Sequence, residues 1–157
     1  MSVTSLEDIL SYIFVDALTE VISKMAGISF DVLSSEFDSG FDDLTGVMSL
    51  NGKSHGMLFI SADENTMRVL CSCMTGIPGG EITKDEIEDA LCELVNMTAG
   101  NAKLRTNNAE QMYTLSPPFV INGENMSINT KKRINVISRI LGNGEISVKL
   151  KVIFYIL

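Results

Sequence analysis

Glu93 and Asn96 stand three residues apart in a segment of helical periodicity, a spacing that puts both side chains on one face about a turn apart. Glu86 and Asp89 fall on the same side further back, so the stripe is polar along its length. Most such stripes are solvated helix faces, and a Glu-x-x-Asn pair by itself arises often by chance. Other reactive residue types narrow the chemistry by exclusion. His55 is the single histidine; it lies near an Asn51-Gly52 turn and reads as a solvated strand residue, which leaves Ser-His-Asp and Cys-His arrangements without a comfortable base. Cys71, Cys73 and Cys92 are an odd number without paired CxxC spacing, so they read as buried thiols and not as a zinc site.

The chain has 157 residues, 45% of them hydrophobic and 20% charged, which suits one domain spanning 1–157 around one core. No apolar run approaches a membrane span. The acidic segment Met1 to Asp8 lacks the basic and apolar regions of a secretory signal, so a cytoplasmic location is expected. With 20 acidic against 12 basic residues the formal charge is -8. That surface repels phosphate backbones and anionic lipid. Nucleic acid is a poor partner for it, and a protein presenting a lysine or a basic rim is a better one.

The elements that must hold the stripe follow from periodicity and turn residues. Leu6, Ile9, Leu10, Ile13, Phe14, Ala17, Leu18, Val21 and Ile22 recur at helical spacing between a Thr4/Glu7 capping box and Gly27. Strands are expected over about 29–37 and 41–50, with Asn51-Gly52 as a type I′ turn into a strand at 54–60. Ser61 with Glu64 reads as a second capping box, opening a helix that ends at Gly76. Thr83 with Glu86 is a third, and its helix puts Ile87, Leu91, Leu94, Val95 and Ala102 on the inward face. A polar connection at 106–108 follows, then Pro117-Pro118 leading into a strand, and a C-terminal hairpin of about 133–141 and 145–155 around Asn143-Gly144. Met67, Met74 and Met97 read as core filling.

Asp16 to Gly27 aligns with Asp89 to Gly100, with about half of the positions identical. Each copy lies on a helix followed by strands with an Asn-Gly turn, so an internally duplicated pair of α-β-β-β halves with an extra helix between them is expected. The fold class is α/β (α+β), a mostly antiparallel sheet with helices packed on it.

The run Glu93-Leu94-Val95-Asn96-Met97-Thr98-Ala99-Gly100-Asn101-Ala102-Lys103 resembles the signature helix of the CheX/CheC/FliY family of chemotaxis phosphatases. Asn51 to Ile60 and Met74-Thr75-Gly76 also look like the family; the match is good from the Gly46 to Gly76 region on to Lys103, and before Phe41 and after Pro118 only the order of elements matches. Family members dephosphorylate phosphorylated CheY, and the resemblance implies a CheC-like fold with Glu93 and Asn96 as the catalytic pair. The receiver domain carries its own phosphoaspartate, Mg²⁺ and lysine, so no cofactor or metal of this chain's own is implied and no covalent intermediate forms on it. Asn96 would orient the attacking water, because a carboxamide donates and accepts hydrogen bonds while staying neutral. Glu93 would pair with the receiver lysine.

In the first copy Glu20 is matched with Ser23, which lacks the carboxamide, so that copy is read as inactive and Glu20 as an exposed helix charge. One complete site on the second helix places the chain nearer CheX than CheC. The family also implies a homodimer, with sheet extension across the interface as one route and Lys149 and Lys151 as charges that guard strand edges. Asn101 and Lys103 are assigned to contacts with backbone or a neighbouring element. The competing readings are a receiver-binding adaptor that hydrolyses nothing and a structural module of a signalling or flagellar-switch assembly.

Overall fold

Two long helices set the frame. The computed structural model describes residues 5–35, 37, 40–52, 55–106, 113–130 and 134–155. Helix α1 spans Leu6–Ala26 and α3 spans Lys84–Arg105, with α2 at Glu64–Thr75. Both long helices start in a capping box: Ser5 and Asp8 exchange side-chain to backbone hydrogen bonds at one, Thr83 and Glu86 at the other. The cap of α1 is thus Ser5, one residue after the expected Thr4, which lies outside the described residues. For α2 the cap is Asp63, whose carboxylate accepts from the Thr66 N–H at 2.6 Å. Ser61, expected there, is instead a buried strand residue whose hydroxyl accepts from the Asp42 N–H at 2.8 Å.

The strands are β1 (Asp31–Ser34), β2 (Leu44–Gly52), β3 (His55–Ala62), β4 (Tyr113–Leu115), β5 (Phe119–Asn122), β6 (Ile134–Gly142) and β7 (Ser147–Tyr155). They form one sheet in the order β1-β6-β7-β3-β2-β4, with β5 also on β2, and every pairing is antiparallel. The duplication is visible in the pairing. Central β3 and β7 lie side by side, each in a hairpin with the second strand of its own half. The first strand of each half crosses over: β1 pairs with the end of β6, and β4 with the end of β2. The expected strand after Pro117-Pro118 is β5, an addition to the second half, and β4 is the true counterpart of β1.

Between β4 and β5 the two prolines donate nothing to the ladder. The Ser116 side chain fills in, accepting from the Ser49 N–H at 2.9 Å and donating to the Ser49 carbonyl at 3.1 Å. The turn expected at Asn51-Gly52 is longer than two residues, since Asn51 pairs with His55 and both Asn51 and Gly52 belong to β2. Gly142 pairs with Ser147 across the C-terminal hairpin, and Gly144 in its loop has φ 93°.

The helices pack together on one face of the sheet over the main core, where Phe14, Leu18, Ile22, Met48, Leu58, Ile60, Leu91 and Val95 are fully buried. Ile9, one of the apolar repeat of α1, is 39% exposed. The opposite face carries a smaller cluster of Phe41, Val47, Phe59 and Ile153. Lys149 and Lys151 do not guard an edge: they sit on β7 between β3 and β6, where Lys149 donates to the Gly40 carbonyl at 2.7 Å and Lys151 lies over the Phe37 and Phe41 rings. Burial lowers the Lys151 pKa.

Among the described residues no helix is long and apolar enough to cross a membrane.

Candidate functional site

The orientation of α3 is set from below. Gly46 on β2 leaves no room for a side chain, because a Cβ there would meet Val95 Cγ2 at 2.6 Å and Leu91 Cγ at 3.0 Å. The helix therefore sits down on the sheet through Leu91 and Val95. At about 100° per residue, Glu93 and Asn96 lie roughly 200° and 140° around the axis from Leu91, which turns both outward. The inward set Ile87, Leu91, Leu94, Val95 and Ala102 is buried as expected. Tyr113 on β4 secures the same helix from its side: its hydroxyl donates to the Ala99 carbonyl at 3.1 Å, and its ring stacks on Phe14. Burial pushes the Tyr113 pKa up, so the phenol stays protonated and the bond is kept.

Glu93 and Asn96 are both exposed, and neither side chain has a hydrogen bond or ion pair with any described residue. Their placement on one rigid helix face, about a turn apart, gives an anion and a neutral donor-acceptor with all their bonding capacity turned to solvent. Met97 beside them is 43% exposed, so it is surface and not core filling; Met67 is fully buried and Met74 half-buried. Of the thiols, Cys71 is buried as expected, but Cys92 is half-buried and Cys73 exposed. Burial raises the pKa of Cys71 and Cys92, so neither is a ready thiolate. His55 is an exposed strand residue, as expected.

The first copy is different. Glu20 is not a free surface charge: its side chain is only 33% exposed and is held by Lys24 at 2.6 Å, by the Asn101 amide at 3.2 Å and by the Arg105 guanidinium. Hydrogen bonds from Lys24, Asn101 and Arg105 lower its pKa to about 2. Arg105 also donates to Asn101 Oδ1 at 2.6 Å and lies 3.8 Å from Asp16. Asn101 thus makes the neighbouring-element contact expected of it. Arg105 was missed, since nothing in a sequence links residues 85 positions apart.

Groups of three or more His, Cys, Asp or Glu placed to hold a metal ion are absent among the described residues. A family model described as the chemotaxis phosphatase CheX matches residues 44–140. That span runs past Pro118, beyond which only the order of elements resembles the family in the sequence, and into β6. No curated protein matches the chain. Among solved structures, the chemotaxis protein CheX from Vibrio vulnificus is similar with a TM-score of 0.80 and 20% identity, over 99% of this chain and 100% of that one. A CheC-like superfamily protein from Shewanella sp. PV-4 gives 0.77 and 21%, over 96% and 99%. A chain of the CheX-CheY-BeF3-Mg2+ complex from Borrelia burgdorferi gives 0.72 and 21%, over 92% and 97%. At these identities the structures establish a shared CheC-like fold.

Proposed function

We propose, because this chain belongs to the CheX family of chemotaxis phosphatases, that it accelerates hydrolysis of the phosphoaspartate of a CheY-like receiver domain, with Glu93 and Asn96 as the catalytic pair. The observation that carries the reading is the exposed, unpartnered pair on a helix whose rotation is fixed by Leu91, Val95 and Gly46. A receiver brings the phosphoryl group, its Mg²⁺ and a lysine, so what it lacks is a water held in line with the bond to be broken. The Asn96 carbonyl accepts one O–H of that water while its amide group donates, leaving a lone pair aimed at phosphorus. The new P–O bond forms as the bond to the aspartate carboxylate breaks, and inorganic phosphate leaves. Glu93 pairs with the receiver lysine and fixes the docking register through a charge-assisted contact.

The reading takes residues 1–157 as one unit. Support comes from the crossed pairing of β1 with β6 and β4 with β2, since neither half completes its own sheet. It also takes the chain as a homodimer, with the exposed apolar residues Val32 and Leu33 on edge strand β1, or Phe119 and Ile121 on β5, as surfaces to cover. Light scattering on a sizing column tests that: a mass near 34 kDa supports it, and the 17.1 kDa of one chain contradicts it.

The test of the function follows loss of phosphoryl label from a CheY-type receiver. Native chain should speed the loss, and Asn96→Ala should abolish the gain while still binding the receiver. Protection of the label would favour the adaptor, and absence of binding the structural module.

A further inference from the structure

Beside Glu93, on the side toward the start of α3, lies a groove of about 580 Å³ between the ends of the three helices. Its apolar wall comes from Met25 at the end of α1 and from Met74 and Ile77 at and after the end of α2; its acidic wall is Glu86, Asp89 and Glu93. Among the described residues no lysine or arginine lines it. The Glu86 carboxylate is already engaged, accepting from the Thr83 N–H at 2.8 Å. Asp89 is exposed and its side chain has no hydrogen bond or ion pair with any described residue. It stands four residues before Glu93, so two like charges share one face without a cation between them.

We infer that this groove is a second anchoring subsite for the receiver, taking a lysine or arginine side chain from the surface next to the receiver lysine that meets Glu93. The inference rests on the proposed function and says which part of the partner determines fit. The chemistry of the walls selects the occupant. A long basic side chain needs an apolar bed for its stem and an anion for its head. Met25, Met74 and Ile77 supply the bed, and thioether side chains adapt to stems of different shape. Asp89 supplies the anion. Glu93 belongs to both the groove and the catalytic pair, so the two sites are continuous. Asp89 lies about 6 Å along the helix axis from Glu93, which sets the spacing expected between the two basic groups of the partner.

The test is single-turnover dephosphorylation of a CheY-type receiver labelled with acetyl phosphate, at increasing concentrations of this chain. Asp89→Lys should raise the half-saturating concentration by about 10-fold, with the maximal rate kept within about twofold, because a rim charge acts on encounter and docking. Asp89→Asn should move it in the same direction by less, and Met74→Lys should also weaken saturation. Glu145→Lys makes the same change of net charge in the loop between β6 and β7, outside the groove lining, and should shift half-saturation by less than about twofold. Equal effects of Asp89→Lys and Glu145→Lys would overturn the inference. So would a fall in maximal rate at unchanged half-saturation, or a change of mass in light scattering with receiver kinetics untouched, which would point to a second copy of this chain as the occupant. The Asn96→Ala arm separates the two levels. An Asn96-dependent rate that ignores Asp89 sinks only the groove, and no acceleration of any receiver by native chain sinks both.

Discussion

The two copies of the helical motif start alike and finish differently, and the finish decides which of them is open. Asp16 to Gly27 and Asp89 to Gly100 each follow a capping box and each carry a glutamate at the same place. In the first copy Gly27 stops the helix in the left-handed region at φ 69°, as a glycine can without a Cβ penalty. In the second copy Gly100 stays helical, and α3 runs on to Arg105. That extra turn carries Asn101 and Arg105 back to the first copy, where they close on Glu20. The first copy has no such turn to return the favour, because the chain after Gly27 goes into β1. Glu93 is therefore left open. A duplicated motif has become one closed ion cluster that ties α1 to α3 and one exposed pair.

Loss of the Asn96 carboxamide should matter most. Asn96→Ala should lower receiver dephosphorylation by roughly 100-fold or more, the scale of a lost positioning group. Ser23→Ala at the equivalent place should leave the rate within about twofold. Label-decay assays on the two variants in parallel check both.

Next come the two glycines. Gly46→Ala drives a methyl into Val95 and Leu91, so it should cost about 1–3 kcal/mol by overpacking. It should also reduce the rate, because the helix that carries Glu93 and Asn96 must shift. Gly27→Ala meets nothing within 4 Å and pays only for its left-handed backbone, about 1–2 kcal/mol. It should leave the rate unchanged. Denaturant unfolding and the label assay together separate the two outcomes.

A smaller effect concerns pH. Glu20 titrates lower folded than unfolded, to about 2. Its contribution to stability is therefore present above the unfolded glutamate range and is lost as pH falls toward 2. Arg105→Ala should raise the folded Glu20 pKa and bring acid unfolding to higher pH, with the native and variant curves converging below about pH 2. Carboxylate NMR of Glu20 and acid titration of the unfolding signal check it. The smallest effect is on Ser23→Asn. Restoring the carboxamide alone should give no extra activity, within about 20%, because Glu20 remains held by Lys24, Asn101 and Arg105.

The helices and hairpins were legible in the sequence because their signals are local. Thr83 with Glu86 marked the start of α3 correctly, and the apolar spacing of Ile87, Leu91 and Val95 told which face goes in. Ser61 misled because Ser-x-x-Glu fits a capping box, while in the fold the Ser61 hydroxyl is taken by Asp42 and Thr45 across the sheet. Strand β4 escaped notice because it is three residues long and owes its place to pairing with β2 and to Tyr113. The proposed pair Glu93 and Asn96 came through the resemblance, since a Glu-x-x-Asn spacing alone is common. The Arg105 contact and the groove were illegible for the same reason: both join segments distant in the chain, and only packing brings them together.

That one copy is open and the other closed can be read directly by amide NMR. A CheY-type receiver activated with beryllofluoride and Mg²⁺ is titrated into the labelled chain. One receiver per chain is expected, with resonances of α3 from Glu86 to Gly100 shifted and those of Asp16 to Lys24 unmoved. Saturation at two receivers per chain, or shifts centred on Glu20 and Ser23, would contradict it.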